Sequence, residues 1–506
     1  MKKNTFRKAG VAVLTMAMLL STGALSAVNV SAADESITVA ASTGLKAGDK
    51  VRVYQVAGMN ASNKWEWKNG FGSVTGVPTK VSDIKDYDND ATEAFANLLA
   101  KNVSGKTFTS GSVGTAVSVS RGYYLVIAAP SEAGKIAQPM LIEVGDDARV
   151  TISNTKVSTI TLDKTITAVT KGGTVKTGGK SAQAEKGAVV TYRLAAQIPE
   201  YDDGVTAADV QDYVLKDKCD ATLTIDTDSI KSFVAATKDA ATGTAKGTVS
   251  GASATGFTVT MSGNDVLSNA KNYLIVTFNA TVGDDPTIAQ GKTDRTDANK
   301  NDAEVTYGNN FTTGGKSDTD GDGDIDEDDE QPKLEDYADV YASAVLVNKF
   351  KEDGTTVFPN VKFELHKDTA TGEKVASASG TDLTDANGQI YFKGLDAGTY
   401  VLVEVKTNAT KDYKTLDPIT IEVTNTGSDS VFSATANGSA LTLSANNDYN
   451  GGKVTAFADN ITNEKLETLP ATGGIGTYIF TIGGAAIVLL AGALFVVYMK
   501  KRRVEE

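Results

Sequence analysis

The residues with the most specific ligand spacing lie between positions 318 and 329. Their sequence is Asp-Thr-Asp-Gly-Asp-Gly-Asp-Ile-Asp-Glu-Asp-Asp, with Gly323 and Ile325 where a calcium loop has its sharp turn and its central apolar residue. Neighbouring carboxylates repel one another unless a cation neutralises them. The stretch therefore predicts a calcium loop. Its candidate ligands are Asp318, Asp320, Asp322, Asp324, Asp326 and Asp329.

A second interpretation of this acidic stretch remains open. The last ligand of such a loop is usually a bidentate Glu, whereas this sequence has Asp329, and no flanking helices are evident. A solvated acidic linker without metal accounts for the same composition. Calcium is thus the one candidate cofactor, and no cofactor is required.

The sequence offers few residues for nucleophilic catalysis. The 506 residues include one histidine, His366, and one cysteine, Cys219. A Ser-His or Cys-His pair would need His366, which lies in a strand-like alternation and is expected at the surface. Cys219 cannot form an internal disulfide and is expected in a core. The formal charge of −14 argues against nucleic acid as a partner. We therefore expect a protein that is not an enzyme.

Both ends of the chain carry export and anchoring signals. Residues 1–32 have basic residues, an apolar core and small residues before Ala32, as in a cleaved secretory signal peptide. Residues 475–499 form an apolar run that would span roughly 37 Å as a helix, enough to cross a membrane. The tail at 500–506 begins with four cations that stay in the cytoplasm. Residues 33–468 are therefore expected outside the cell.

A pentapeptide stands directly before the apolar run: Leu469, Pro470, Ala471, Thr472 and Gly473. Together with the span and the basic tail, it resembles the sorting signal of Gram-positive surface proteins. The resemblance implies a sortase that attacks the carbonyl of Thr472 and releases Gly473. The acyl-enzyme is then resolved by an amine of peptidoglycan or by a lysine of another subunit. It implies a cell-wall-anchored surface protein with sortase and peptidoglycan as partners.

The segment between the two signals reads as an all-β protein of tandem immunoglobulin-like sandwiches. Short alternating runs rich in Val, Thr, Ile and Tyr recur between Gly, Asn and Asp. One amphipathic helix is expected near Ala91 to Lys101, against a sheet edge. The predicted parts are an N-terminal domain at 34–158, a middle domain at 159–311, the acidic linker or calcium loop at 312–338 and a third domain at 339–465.

The middle domain resembles that of sortase-assembled pilins. The resemblance lies in the order of the strands Gly187 to Pro199 and Asn272 to Ala280, with Tyr213 to Asp217 between them. In that family an immunoglobulin-like sandwich closes on itself with a lysine-to-asparagine isopeptide bond. The implied residues are Lys164, Asp217 as the assisting acid, and Asn309, with Asn310 as an adjacent alternative.

The third domain resembles the collagen-adhesin B-type domain. Thr384 to Ile390 leads through Gly394 to Gly398 into Tyr400-Val-Leu-Val-Glu404, the E-box strand of that family. The resemblance implies a bond between Lys349 and Asn463 with Glu404 as the assisting acid. The Ala-Pro-x-Gly-Tyr turn that usually follows is replaced by residues 407–413.

Burial supplies the chemistry for such a bond. In a core the pKa of a lysine falls and that of a carboxylic acid rises, because both charged forms lose their solvation. A neutral lysine can then attack an asparagine carbonyl polarised by the protonated acid, and ammonia leaves. The alternative is that these side chains lie on the surfaces of half-buried strands.

The combined features resemble a backbone (major) pilin of a Gram-positive covalent pilus. In that family the lysine that accepts Thr472 of the neighbouring pilin subunit lies in a Tyr-Pro-Lys motif, which this chain lacks. Lys156 in Val150-Thr-Ile-Ser-Asn-Thr-Lys156 is the candidate. A wall-anchored adhesin or accessory pilin, which binds a host surface ligand and is not polymerised, is the rival interpretation.

Overall fold

A computed structural model describes residues 35–201, 205–211, 213–308, 331–426, 428–467 and 475–503. The predicted signal peptide, the aspartates of the acidic stretch and the pentapeptide 469–473 lie outside these ranges. The described residues confirm the all-β prediction, because strands are their main secondary structure and the longest helix is the C-terminal one.

The N-terminal domain pairs its strands in three sets, ordered β5-β1-β9, β3-β2-β6-β8 and β10-β7, with β4 also on β2. Its core packs Tyr54, Val56, Leu125 and Ile127 between the strands and one helix. The elements are β1 Ser36–Val39, β2 Lys50–Met59, β3 Trp65–Trp67, short 3-10 turns at Phe71–Ser73 and Val81–Asp86, α1 Asn89–Ala100, β4 Thr109–Ser112, β5 Ala116–Ser118, β6 Gly122–Ala129, β7 Lys135–Ala137, β8 Met140–Val144, β9 Arg149–Ile152 and β10 Val157–Thr159.

Helix α1 confirms the predicted helix near residues 91–101. The Asp88 carboxylate caps its first turn by accepting from the Ala91 N–H at 2.9 Å. The apolar face buries Phe95 and Leu99 against β6 and the edge strand β8. The ring of Phe95 meets that of Trp67 edge-on, with 6.3 Å between centroids. The helix is thus fixed on the sheet by aromatic packing.

The middle domain is a two-sheet sandwich with strand orders β12-β11-β14-β20-β16-β17 and β18-β19-β15-β21-β22. Alternation places Tyr192 and Leu194 of β14 inward. Its elements are β11 Leu162–Lys171, β12 Thr174–Lys176, β13 Ser181–Gln183, β14 Val189–Gln197, β15 Tyr213–Cys219, β16 Leu223–Ala235, β17 Thr244–Ala245, β18 Thr248–Ser253, β19 Gly256–Met261, α2 Gly263–Ser268, β20 Tyr273–Val282, β21 Asn301–Thr306 and β22 Lys333–Tyr337.

Strand β22 extends the middle domain beyond its predicted end at residue 311. It pairs antiparallel with β21, from Asp302 opposite Tyr337 to Thr306 opposite Lys333. The Asp336 carboxylate also accepts from the Lys164 backbone N–H at 2.6 Å. The predicted boundary at 311 is therefore too early, and the predicted linker 312–338 ends in a strand of this domain.

The third domain is one rolled sheet of order β26-β25-β28-β29-β30-β31-β32-β24-β27. Its first long strand, β24, lies parallel to its last, β32, so the chain enters at one end of the domain and leaves at the other. The elements are β23 Asp339–Tyr341, β24 Ser343–Phe350, β25 Lys362–Lys367, β26 Lys374–Val375, β27 Gln389–Leu395, β28 Gly398–Val405, β29 Ile419–Asn425, β30 Phe432–Ala436, β31 Ser439–Tyr449 and β32 Gly452–Thr462.

The middle and third domains contact each other through a strand pair, an ion pair and hydrogen bonds. Strand β23 pairs in parallel with β13 of the middle domain. Lys367 of the third domain pairs with Glu185 at 2.5 Å, and Ser181 donates to Asp429 at 2.6 Å. The bidentate Arg295 guanidinium holds Asp339, a buried carboxylate at the start of the third domain. The chain therefore passes between these domains through ordered backbone.

The C-terminal helix, α3, spans Ile475–Arg502. It is long and apolar enough to cross a membrane, and its large side chains, such as Phe480 and Leu489, are exposed. The helix continues through Lys500 and Lys501, so the first cations of the predicted tail are part of it.

Candidate functional sites: two buried lysines

Lys164 is buried in the core of the middle domain, with no exposed surface. It lies on β11, where the register places it opposite Leu194 of β14 and inside the sandwich. The rings of Tyr192 and Phe278 stack at 5.2 Å and form the wall beside it, with the Lys164 Nζ 5.5 and 5.8 Å from their centroids. A cation in such an apolar box is costly unless it is paired or neutralised.

Two side chains from the opposite sheet meet this lysine. Asp217 of β15 accepts a short hydrogen bond from Lys164 Nζ, and both side chains are fully buried. Asn301, the first residue of β21, accepts from the same Nζ through Oδ1 at 2.7 Å. The lysine therefore joins one sheet to the other, with the acid and the amide both within bonding reach.

The asparagine in this site differs from the one expected from the sequence. Asn309 and its alternative Asn310 lie outside the described residues. Asn301 occupies the place beside the lysine because β21 pairs with β15 in a register that sets Asn301 opposite Cys219 and Ala303 opposite Asp217. The alternation of the sequence through Asn301, Ala303 and Val305 marks Asn301 as inward-facing, but it does not distinguish Asn301 from Asn309.

Burial shifts the pKa values of this pair toward their neutral forms. Desolvation lowers the pKa of Lys164, although the Asp217 charge partly opposes the shift. Desolvation also raises the pKa of Asp217 to about 6. The Asn301 Nδ2 and the Asp217 Oδ1 are buried without a hydrogen-bond partner. Unsatisfied buried polar atoms cost about 1–3 kcal/mol each, so this arrangement holds free energy that a reaction could release.

Lys349 in the third domain is likewise fully buried. It lies on β24 beside β32, where the register pairs it with Ile461. Among the residues that the structure describes, its Nζ donates only to backbone carbonyls, those of Ile461 at 3.3 Å and Phe350 at 3.4 Å. Desolvation lowers the pKa of Lys349 to about 8, while the charge of Glu404 acts in the opposite direction.

Glu404 and Asn463 meet across the same core. Asn463 follows β32 directly, and its Nδ2 donates to the Glu404 Oε1 at 2.8 Å. Both side chains are buried, at 4% and 1% exposure. The other carboxylate oxygen accepts from the Leu416 N–H at 3.3 Å, which fixes the acid in place. The Asn463 Oδ1 has no hydrogen-bond partner.

The two sites thus have the same chemical composition in different geometries. Each contains a buried lysine, a buried carboxyl group and a buried asparagine amide. In the middle domain the lysine and the amide belong to opposite sheets, whereas in the third domain the lysine lies on β24 and the asparagine directly follows β32, the parallel neighbour of β24. Such a set can form an amide between lysine and asparagine with loss of ammonia.

The remaining candidate residues lie apart from these sites. Lys156 lies between β9 and β10 with 57% of its side chain exposed, and it pairs with Glu93 at 2.5 Å. Cys219 is buried, as predicted. His366 was expected at the surface, but its side chain is only 13% exposed and its Nδ1 lies 2.9 Å from the Gly372 carbonyl oxygen. The aspartates of the predicted calcium loop and Thr472 lie outside the described residues.

Comparisons with known proteins agree with this architecture. Residues 343–437 match the SpaA family, described as a prealbumin-like fold domain. Residues 461–506 match the LPXTG cell wall anchor motif. No curated protein sequence matches the chain.

Solved structures give the same picture of the fold. The T6 backbone pilin of serotype M6 Streptococcus pyogenes matches with a TM-score of 0.52 at 16% identity, over 86% of this chain and 94% of that one. The major pilin SpaD of Corynebacterium diphtheriae matches with a TM-score of 0.49 at 15% identity, over 86% and 98%. The major pilin SpaA of the same organism matches with a TM-score of 0.45 at 16% identity, over 86% and 100%.

These findings define the class of the protein. The C-terminal motif makes it a surface protein anchored to the cell wall, outside the cell. Residues 343–437 carry a SpaA prealbumin-like domain, and the fold is similar to that of the T6 backbone pilin, in agreement with the resemblance to major pilins noted from the sequence. Both matching families describe structural elements rather than enzymes.

The depressed pKa of Lys349 predicts how an unreacted site responds to pH. In Asn463→Ala the lysine keeps its free amine. Its pKa is about 8 when folded and about 10.4 when unfolded. Between these values the unfolded chain binds more protons, so the free energy of unfolding should rise with pH, by up to about 3 kcal/mol. Pulse proteolysis of the third domain across a urea series, at intervals from about pH 7 to about pH 10, measures this.

The double variant Asn463→Ala, Lys349→Met is the control, because it removes the titrating amine from the same cavity. It should show no such rise. A single variant whose stability is flat or falls over this interval would contradict the buried-lysine assignment.

Proposed function

We propose that this protein is the backbone subunit of a covalent pilus, polymerised through Thr472 and stabilised by an isopeptide bond in each of two domains. The observation that carries the proposal is the recurrence of a buried lysine, acid and asparagine in successive domains of a wall-anchored chain. A wall-anchored protein that bears mechanical load gains most from such bonds. The partners are a sortase, neighbouring subunits of the same protein and peptidoglycan.

In the middle domain the proposed bond joins Lys164 to Asn301. The neutral amine attacks Cγ of Asn301, and the bond from Cγ to Nδ2 breaks. Protonated Asp217 polarises the amide and passes protons from the lysine nitrogen to the leaving nitrogen, which departs as ammonia. The reaction removes the unpartnered Asn301 Nδ2 from the core.

In the third domain the proposed bond joins Lys349 to Asn463. Glu404 lies against the leaving nitrogen, because the Asn463 Nδ2 donates to its Oε1 at 2.8 Å. Glu404 is therefore placed to deliver the proton that turns this nitrogen into ammonia. The Lys349 pKa of about 8 leaves an appreciable fraction of neutral amine near neutral pH.

Each bond changes how the domain carries a load. The bond from Lys164 to Asn301 closes a loop of 137 residues. By the loop-entropy estimate used for disulfides, a closed loop of this length stabilises the fold by about 5 kcal/mol. Under tension along the chain, force passes through the new amide rather than through the strands between its ends. The enclosed part of the domain is then protected from unfolding by pulling.

Intact mass of the secreted ectodomain tests both bonds. The wild-type mass should fall short of the sequence mass by two ammonia molecules, because each amide releases one. Asp217→Asn or Glu404→Gln should each lose one ammonia instead of two, since the proton shuttle of one site is gone.

Two asparagine variants form a matched pair for the middle domain. Asn301→Ala should lose one ammonia only, whereas Asn309→Ala should keep the full deficit of two. A wild-type ectodomain with the unmodified sequence mass would refute both bonds. The opposite pattern in the asparagine pair would move the middle-domain bond to Asn309.

Polymerisation itself is tested on boiled cell-wall extracts by immunoblot. The wild type should give a ladder of high-mass bands, because amide links between subunits survive boiling. Lys156→Ala should collapse the ladder to wall-linked monomer, since Lys156 is the proposed acceptor amine. Lys46→Ala, another exposed lysine of the N-terminal domain, serves as the control and should keep the ladder.

The other outcomes of this blot are informative in different ways. A ladder that persists in Lys156→Ala would keep the pilus and assign the acceptor to another lysine. A single wall-linked band in the wild type would exclude the backbone function. It would favour a monomeric adhesin that binds a host ligand.

A further inference from the structure

The exposed lysine of the N-terminal domain has a carboxylate partner placed by the helix. The Lys156 Nζ donates to the Glu93 Oε1 at 2.5 Å, and the two side chains are 57% and 27% exposed. Glu93 lies in the first half of α1. The aromatic and aliphatic contacts of Phe95 and Leu99 fix this helix on the sheet. The carboxylate is therefore held by the fold and not by a mobile loop.

The backbone of the same lysine is held as well. The Lys156 carbonyl accepts from the Gln138 N–H at 2.9 Å, just before β10 pairs with β7. The Gln138 Oε1 and the Thr155 Oγ1 beside it are buried without a hydrogen-bond partner. Hydrogen bonds thus hold both the backbone and the amine of Lys156 at the surface. Two buried polar atoms beside it have no hydrogen-bond partner.

We propose that Glu93 is the proton acceptor and positioning residue for Lys156 when that lysine attacks the acyl-enzyme. This inference rests on the proposed function of Lys156 as the acceptor amine. The chain then places a lysine near a carboxyl group in three sites. Two of these sites are desolvated by the protein's own core, and the third is exposed until the transpeptidase covers it.

The need for a proton acceptor follows from the state of the resting pair. In water the carboxylate favours the charged ammonium, which is not a nucleophile. When the acyl-enzyme docks over the pair, both charges lose solvation, so the neutral amine and the carboxylic acid become favoured. Glu93 thereby takes one proton from Lys156 at the moment when the nucleophile is required.

The transfer balances with the thioester of the acyl-enzyme as the other reactant. The Lys156 Nζ forms a bond to the Thr472 carbonyl carbon of another subunit, and the carbon-sulfur bond of the thioester breaks. The ammonium loses two protons overall. One goes to Glu93 before attack, and the second goes to the departing sulfur. Glu93 later returns its proton to solvent.

Two charged groups on the elements around this pair have ion partners of their own. Lys101 at the end of α1 pairs with Asp209 at 2.8 Å, and Lys135 of β7 lies 3.7 Å from Glu132. The other charged residues on these elements are Asp90 on α1 and Glu143 on β8.

The test is a one-turnover transfer with purified sortase and two ectodomains. The donor carries Lys156→Ala, so it can only form the acyl-enzyme. The acceptor carries Thr472→Ala, so it can only supply the amine. Glu93→Gln in the acceptor should slow formation of the joined dimer on the order of 10- to 100-fold near neutral pH, because an amide cannot accept the proton. Glu93→Asp should restore part of the rate.

The pH profile separates proton transfer from a merely structural contact. Without Glu93 the lysine must lose its proton to solvent, and the neutral fraction rises tenfold per pH unit up to about pH 10. The ratio of wild-type to Glu93→Gln rates should therefore shrink as the pH rises. Glu132→Gln, which alters another exposed ion pair of the same domain, should leave the rate unchanged at every pH.

The outcomes keep this inference distinct from the proposed function. If Lys156→Ala in the acceptor abolishes the dimer while Glu93→Gln transfers at the wild-type rate, the acceptor stands and the role of Glu93 is overturned. A rate deficit that stays constant with pH would likewise overturn proton transfer. If the Lys156→Ala acceptor still forms dimer, the proposed acceptor fails and the inference about Glu93 fails with it.

Discussion

The constraint on which this structure depends is the burial of a lysine in each of two β-sandwich cores. Lys164 and Lys349 have no exposed surface, and an isolated ammonium there would cost several kcal/mol or more. The sandwich can hold such a residue only if the amine is paired, neutral or consumed. Asp217 pairs with Lys164, and burial favours the neutral form of both groups. Burial likewise lowers the pKa of Lys349, against the opposing charge of Glu404. The desolvation that makes a buried lysine unfavourable is thus also what favours the neutral amine that the proposed amide formation requires.

The lysine and the asparagine of each site lie on different parts of the two domains. Lys164 and Asn301 lie on opposite sheets, so a bond between them fastens one layer of the sandwich to the other. Lys349 on β24 and Asn463 directly after β32 lie at the end where the chain leaves the domain, so a bond there would tie the first long strand to the last. The contact through β13 and β23 connects the two domains. With one buried cysteine, the chain would gain from the two proposed bonds what secreted domains usually gain from disulfides.

Sequence patterns predicted the all-β class and helix α1, whereas most members of the two sites came from the resemblance to pilin and collagen-adhesin domains. Neither selected Asn301. Asn301 and Asn309 are eight residues apart in the sequence, so they share one phase of the alternation. Only the pairing register of β21 with Asp217's strand shows which one meets the lysine. Strand β22 was missed for a related reason: Lys333-Leu-Glu-Asp-Tyr337 is a half-exposed edge strand whose composition resembles the acidic linker before it.

The most direct test of this account is the identity of the peptide joined to Lys164, read by tandem mass spectrometry of a protease digest of the ectodomain. The account predicts a branched peptide in which the Lys164 nitrogen carries the side-chain carbonyl of Asn301. A linear peptide with an unmodified Lys164, or a branch at Asn309 or Asn310, would contradict it.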